Sequence, residues 1–477
     1  MKTPLFFLLL CLGLGPQLAG QNLRIEAYEF ISRAADTIPA ELGKFWVPED
    51  RTGEISDSIE LTFVRFKSTN PQPGPPIVYL AGGPGGSGTA TAKGWRFPLF
   101  MQLRAVADVI AFDQRGTGLS HQLPNCPHRA AFELAVPTDR ETYLQISTEN
   151  IAKCQAFWES EKVNLAAYNT TESARDLEAL RRALGVDKMS LWGISYGSHL
   201  AFEYIRLFED RLDKVVLASL EGPYETIKLP QDTEDFVRQL SDLAKDNYGT
   251  SKKYPDLWEK IKTVHQRLKA QAVVATYKNR RGQIDTVGIS NFELQQAVAT
   301  FYLKNPKDSK KLPQLYEQMY AGDFSEVAPD VMVMKRYILN RVRPMPVAMD
   351  LQSGISEERR AQVVQQIVRT ILGSGINFLL YEWMTTVDLP PLPEAFRTMS
   401  TNQVEALLLS GSLDGRTYLQ SGRELAEQFQ RGRHVIIENA GHDLYMASPL
   451  VGDLVLRFFQ GEEVKVKRLV LDPVPFD

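Results

Sequence analysis

Met189-Ser190-Leu191-Trp192-Gly193-Ile194-Ser195-Tyr196-Gly197-Ser198 begins as an apolar run and breaks into the pattern G-x-S-x-G. Residues 189–194 read as a short buried strand, and the chain after Gly197 reads as a helix. In a strand-turn-helix setting this pattern places a serine on a strained turn, where side chains in place of Gly193 and Gly197 would collide with the neighbouring backbone. Ser195 is therefore the candidate nucleophile, with its hydroxyl presented to a cleft.

Outward from this turn, residues 77–80, 106–112 and 215–220 are further apolar runs that end in glycine-rich or polar turns. Residues 173–184 carry Leu177, Leu180 and Leu184 at helical spacing, with Gly185 as a stop signal. Short buried strands alternating with helices imply parallel βαβ units. Upstream, residues 45–48 and 59–66 alternate as antiparallel strands do, with 50–58 as the turn between them and the Pro/Gly-rich stretch 71–76 as a loop. From residue 223 to 399 the texture becomes helical, with helices expected at 233–246, 255–271, 291–303, 357–372 and 376–385. A Pro-rich exit at 388–393 follows. Strand patterns return at 404–409 and 434–438, and 450–459 closes as a helix. The expected fold class is α/β: a mostly parallel, doubly wound sheet with a large helical cap inserted before the last strands. The sheet unit would comprise residues 21–222 and 400–477, and the cap 223–399.

Three further segments complete the chemistry. Gly82-Gly83-Pro84-Gly85-Gly86-Ser87-Gly88 follows a strand and lets backbone approach a ligand closely. The Gly83 N–H, with Gly82 the alternative, is expected to join the Tyr196 N–H in stabilising an oxyanion. No lysine stands where a phosphate loop requires it, so a nucleotide site is not expected. A nucleophilic serine of this setting is followed in sequence by an acid and then a histidine. His442 lies on the turn after the 434–438 strand, and Asp414 follows the 404–409 strand, with Asp388 and Asp443 weaker candidates. His199 lies on the nucleophile's own helix and points away, and His434 lies within a strand. Asp113 and Arg115, in Asp113-Gln114-Arg115-Gly116-Thr117-Gly118, read as residues that hold the loop beside the cleft.

The 477 residues, 44% hydrophobic and 23% charged, have globular composition and exclude a disordered or collagenous chain. With 54 Lys plus Arg against 58 Asp plus Glu, no basic excess suggests a nucleic-acid partner. Residues 1–20 have the layout of a secretory signal peptide cleaved near Gly20, and the apolar run is too short for a membrane span. A secreted or periplasmic location is expected. Once Cys11 is removed, Cys126 and Cys154 form an even pair, read as one disulfide, with two buried thiols as the alternative. No metal-ligand spacing occurs, and no cofactor is expected.

In this order the glycine turn, Asp113-Gln114-Arg115-Gly116-Thr117-Gly118-Leu119-Ser120, Gly193-Ile194-Ser195-Tyr196-Gly197-Ser198 and Ala440-Gly441-His442 resemble the prolyl-aminopeptidase family of α/β-hydrolases. The resemblance is greatest to its secreted tripeptidyl-aminopeptidase-like branch. It runs from about Phe45 to the C-terminal region, and in the insertion no motif matches. It implies a serine exopeptidase acting on peptide substrates, with Ser195, Asp414 and His442 as the triad. Ala81 stands where prolyl iminopeptidases usually carry histidine, which favours the tripeptidyl-like branch. The resemblance also implies carboxylates that bind a free α-amine, for which Glu221 and Glu382 are candidates. Surplus carboxylates are expected along the cleft. The alternative activity is an esterase or lipase using the same triad.

Overall fold

The computed structural model describes residues 22–53, 57–131, 133–246, 249–340 and 342–476. Residues 1–20, read from the sequence as a signal peptide, lie outside them. Among the described residues twelve strands are formed: β1 Leu23–Ile31, β2 Thr37–Pro48, β3 Ser58–Phe66, β4 Gly74–Leu80, β5 Ala107–Asp113, β6 Met189–Ser195, β7 Leu212–Leu220, β8 Val273–Lys278, β9 Ile284–Ile289, β10 Glu405–Gly411, β11 Gly432–Glu438 and β12 Arg468–Val470. Ten of them make one sheet in the order β1-β2-β3-β5-β4-β6-β7-β10-β11-β12. Pairing is antiparallel from β1 to β5 and parallel from β5 to β12.

The parallel strands are continuous apolar runs because both faces of the sheet are covered. Their period of two divides them between two cores. Val78, Leu80, Leu191, Leu217 and Leu408 pack on one face with the helices Thr170–Ala183 and Tyr196–Phe208. Tyr79, Trp192, Val216, Leu407 and Leu409 pack on the other with Phe97–Leu103 and Pro449–Phe459.

At the sheet's start the structure extends the sequence reading. β1 was not expected: it is an edge strand with most side chains exposed, so burial leaves little pattern in it. The stretch 71–76 is loop only to Pro73, since Gly74, Pro75 and Pro76 already belong to β4. The β4–β5 register shifts between Gly74 and Ile77, an irregularity of the kind that accommodates proline in a strand.

Within 223–399 the structure has the helices Pro230–Asp246, Leu257–Ala270, Asn291–Phe301, Leu312–Tyr320, Ala328–Ile338, Pro344–Ser353 and Glu357–Ile367, with shorter turns between them. The expected 357–372 helix stops at Ile367, and the expected 376–385 helix shrinks to Leu380–Trp383. Three helices that escaped the sequence reading, Leu312–Tyr320, Ala328–Ile338 and Pro344–Ser353, carry proline in their first turn. Proline fits there because the N–H it lacks would have no intrahelical partner. The β8–β9 hairpin also lies here as a separate two-stranded sheet. This stretch gathers its own apolar cluster, including Phe236, Leu240, Ile261, Leu294, Leu315 and Tyr316, joined by Leu413 and Tyr418 from beyond β10.

The helix Arg140–Ser160, earlier in the chain, packs with the helical stretch. Its Tyr143, Ile151, Cys154 and Trp158 share a cluster with Leu339, Val347, Leu351 and Trp383. Within that cluster Cys126 and Cys154 form a disulfide, with Cα atoms 5.3 Å apart. No described helix is long and apolar enough to cross a membrane.

Candidate active site

β6 ends on Ser195, whose φ of 56° and ψ of −128° lie in a region costly for any residue with a side chain. The turn survives because its surroundings exclude anything larger than hydrogen at the flanking glycines. A Cβ on Gly197 would lie 2.2 Å from the Leu80 carbonyl oxygen, and one on Gly193 would lie 2.8 Å from the Gly197 carbonyl oxygen. The Ser198 hydroxyl donates to the Ser195 carbonyl at 2.6 Å and accepts the Glu221 N–H at 2.9 Å, tying the turn to the end of β7.

The glycine turn after β4 closes over the serine. A Cβ on Gly82 would stand 3.1 Å from Ser195 Cβ and 2.9 Å from the Ile194 carbonyl oxygen, so only glycine allows this approach. Gly83 has a φ of +135°, and the Gly86 N–H donates back to the Gly82 carbonyl at 3.1 Å. Gly82 and Gly83 both face the cavity that contains Ser195. The Tyr196 side chain turns inward instead, its hydroxyl 3.0 Å from Thr170 Oγ1.

Asp414 follows β10 and His442 follows β11, and the two meet: His442 Nδ1 lies 2.9 Å from Asp414 Oδ2 and 3.1 Å from Oδ1. The carboxylate also accepts the N–H groups of Arg416 and Thr417 at 2.8 and 3.0 Å, and the Thr417 hydroxyl at 2.7 Å. Burial alone would raise its pKa, but His442 and the hydrogen bonds from Thr417 together hold it below the usual carboxylate range. A buried carboxylate aimed at Nδ1 fixes the imidazole ring and leaves Nε2 for chemistry. The His442 carbonyl accepts the Ser219 hydroxyl at 2.7 Å, and its N–H donates to the Lys304 carbonyl at 2.8 Å.

Ser195 and His442 line one cavity of about 580 Å³ with Gly82, Gly83, Glu221, Lys228, Asp350, Arg416 and Thr417. The two candidates for amine binding part here. Glu221 faces the cavity, 2.9 Å from Lys228 Nζ. Glu382 is absent from the lining; it is buried and pairs with Arg140 at 2.7 Å. Asp350, unnoticed in the sequence, lines the cavity, and burial together with the charge of Glu221 pushes its carboxyl well above the usual range. Only its place in Pro344–Ser353, a helix whose starting proline concealed it, brings it here.

The lining carries Arg96, Lys228, Lys304 and Arg416 against Glu221, Asp350 and Asp443, so the expected excess of carboxylates is not found. Asp443 pairs with Lys304 at 3.2 Å and Arg96 at 3.5 Å, and Asp388 is exposed. His199 bonds Gly222 O at 3.1 Å and Ser353 Oγ at 3.2 Å, and burial lowers its pKa. His434 bonds Ser410. Asp113 accepts from Ser87, Thr89 and Leu119, and Arg115 is buried against Asp176 at 2.7 and 2.8 Å.

Segments of the chain are similar to curated enzymes. Serine protease Hip1 of Mycobacterium tuberculosis is 31% identical over 189 residues, covering 38% of this chain and 36% of that protein. Tripeptidyl aminopeptidase of Streptomyces coelicolor is 29% identical over 204 residues, 39% of this chain and 36% of that protein. Proline iminopeptidase of Neisseria gonorrhoeae is 25% identical over 198 residues, 41% and 44% of the two chains. The match thus spans a little over a third of the first two relatives and under half of the third. The profile of the alpha/beta hydrolase fold matches residues 75–449, well over half of the sequence, and the chain belongs to that family.

Proposed function

We propose that the protein is a serine exopeptidase that hydrolyses peptide bonds near a free N-terminus. The observation that carries this reading is one cavity lined by Ser195, by the Asp414-bonded His442, and by the carboxylates of Glu221 and Asp350. The names of the similar proteins, a serine protease, a tripeptidyl aminopeptidase and a proline iminopeptidase, support it.

In this mechanism His442 Nε2 takes the proton from the Ser195 hydroxyl as the oxygen attacks the scissile carbonyl carbon. Asp414 holds the ring through Nδ1 and stabilises the imidazolium. The N–H groups of Tyr196 and Gly83 stabilise the tetrahedral oxyanion. His442 then returns its proton to the leaving amine, and water attacks the acyl-enzyme by the same sequence in reverse roles. Glu221 and Asp350 receive the substrate's α-ammonium group, for which the Lys228 ammonium stands in as the cation beside Glu221. Glu382, committed to Arg140, has no part in this. Residues 223–399 act as the cap on a sheet unit formed by 21–222 and 400–477. The Cys126–Cys154 disulfide supports export through a signal peptide cleaved near Gly20 into an oxidising compartment, secreted or periplasmic.

The test compares free-amine with amino-blocked tripeptidyl arylamides and with acyl esters. Cleavage that requires the free amine and is lost in Ser195→Ala is expected. Preference for acyl esters would establish the esterase reading instead.

A further inference from the structure

The basic side chains of the cavity differ in how their charge is met. Arg96 has Asp443, Lys304 has Asp443, and Lys228 has Glu221. Arg416 makes no ion pair among the described residues. Its guanidinium donates to the Thr300 carbonyl at 3.1 Å, which uses one N–H of the five it carries. Its backbone N–H is already bound to Asp414, so the start of the side chain is fixed beside the triad acid. Thr417, next in sequence, touches both Asp414 and His442, and both Arg416 and Thr417 line the cavity.

Arg416 is half-buried at the cavity wall, and a guanidinium there with one hydrogen bond and no ion pair among the described residues has donors left for an anion that enters the cavity. Burial indeed depresses the basicity of this group. The planar fork is suited to a carboxylate, which it can hold through two parallel hydrogen bonds.

We propose that Arg416 is an anion-binding residue of the substrate site, selecting peptides that carry a carboxylate near the scissile bond. This rests on the reading of the cavity as a peptide site. With Glu221 supplying negative charge and Arg416 supplying positive charge in one cavity, a short peptide is held as a zwitterion. The carboxylate comes from an acidic side chain or from the C-terminus of a short substrate, chemistry that the guanidinium reads alike.

The experiment uses calorimetric binding to the Ser195→Ala protein, so that no peptide is consumed. Short neutral peptides are compared with versions in which glutamate replaces glutamine at one position at a time, and each is made with a C-terminal carboxylate and a C-terminal amide. At least tenfold tighter binding of a carboxylate-bearing member is expected, falling to a ratio near one when Arg416→Gln is added and only partly restored by Arg416→Lys, which keeps the charge without the fork. Preference in the glutamate series identifies a side chain as the source, and preference in the carboxylate-amide pair identifies the terminus. Equal binding of all members, or a preference that survives Arg416→Gln, overturns the proposal. Labelling of the wild-type serine by a fluorophosphonate, together with hydrolysis of neutral free-amine peptides, reports separately on the peptidase reading.

Discussion

Ser195, Asp414 and His442 stand at the ends of β6, β10 and β11, on loops held by bonds to their own neighbourhood, whereas residues 223–399 give the cavity Lys228, Lys304 and Asp350 from scattered positions. The first group is set by backbone: a turn that excludes side chains and a carboxylate ringed by donors from 416 and 417. The second is set by how helices pack. The two meet where the Lys304 carbonyl accepts the His442 N–H and the Leu303 carbonyl accepts the Gly415 N–H. The helical stretch therefore lines the cavity and also holds the two loops that carry Asp414 and His442.

The comparison is broken most severely at the serine. Ser195→Ala is expected to lower kcat/KM on a free-amine arylamide by roughly 10⁴ to 10⁶-fold while leaving the circular dichroism spectrum unchanged. Retained turnover would move the chemistry away from the strand-end group altogether.

Next in size is the disulfide, which closes a loop with a sequence separation of 28 inside the cluster shared by Arg140–Ser160 and the helical stretch. Replacing both cysteines by serine should cost about 3 kcal/mol in urea denaturation, mostly through the entropy of the unfolded chain. A loss confined to an early, separate transition would show that the helical stretch opens without the sheet.

The junction itself is tested by Gly441→Ala. The added methyl would lie 2.6 Å from the Lys304 carbonyl oxygen and 2.7 Å from Asn305 Cα, both of them backbone. A cost of about 1–3 kcal/mol is expected from such overpacking, with kcat falling more than KM rises because His442 is displaced. Unchanged kinetics would mean that the two parts are not coupled there.

Glu221→Gln probes the specificity side alone. Removing a charged partner of the substrate amine should raise KM for free-amine peptides about tenfold, in keeping with the strength of a charge-assisted hydrogen bond, and leave amino-blocked substrates unaffected. Smallest is the pH response of Asp350. Its raised pKa means that the fold favours the neutral acid, so its contribution is fully present below the unfolded value of about 3.9 and is lost as pH rises toward the folded value. Asp350→Asn should unfold roughly 2–4 °C above wild type at pH 7, with the gap closing near pH 3, in a thermal melt series.

Much of the strand-end group is legible because each feature is local. Short continuous apolar runs mark β6, β7 and β10, and the chain order of serine, acid and histidine follows from successive strand ends. Glu382 shows the limit. In Tyr381-Glu382-Trp383 nothing reveals that Arg140, 242 positions away, takes its carboxylate. The helix that carries Asp350 was hidden for a different reason, since Pro344 reads as a breaker until the chain is seen to start a helix on it.

The sequence by itself placed Asp414 ahead of Asp388 and Asp443 as the partner of His442, and it determined the doubly wound sheet and the strained serine turn. These depend on residue period and on glycine's freedom of approach, which act over a few residues. The tertiary structure alone decided that Glu221 shares its cavity with Lys228 and Asp350, that Glu382 does not, and that Arg416 lines the cavity with no ion pair among the described residues. Charge partners are chosen by whichever surfaces the packed helices bring within a few ångströms, and no spacing along the chain encodes that choice.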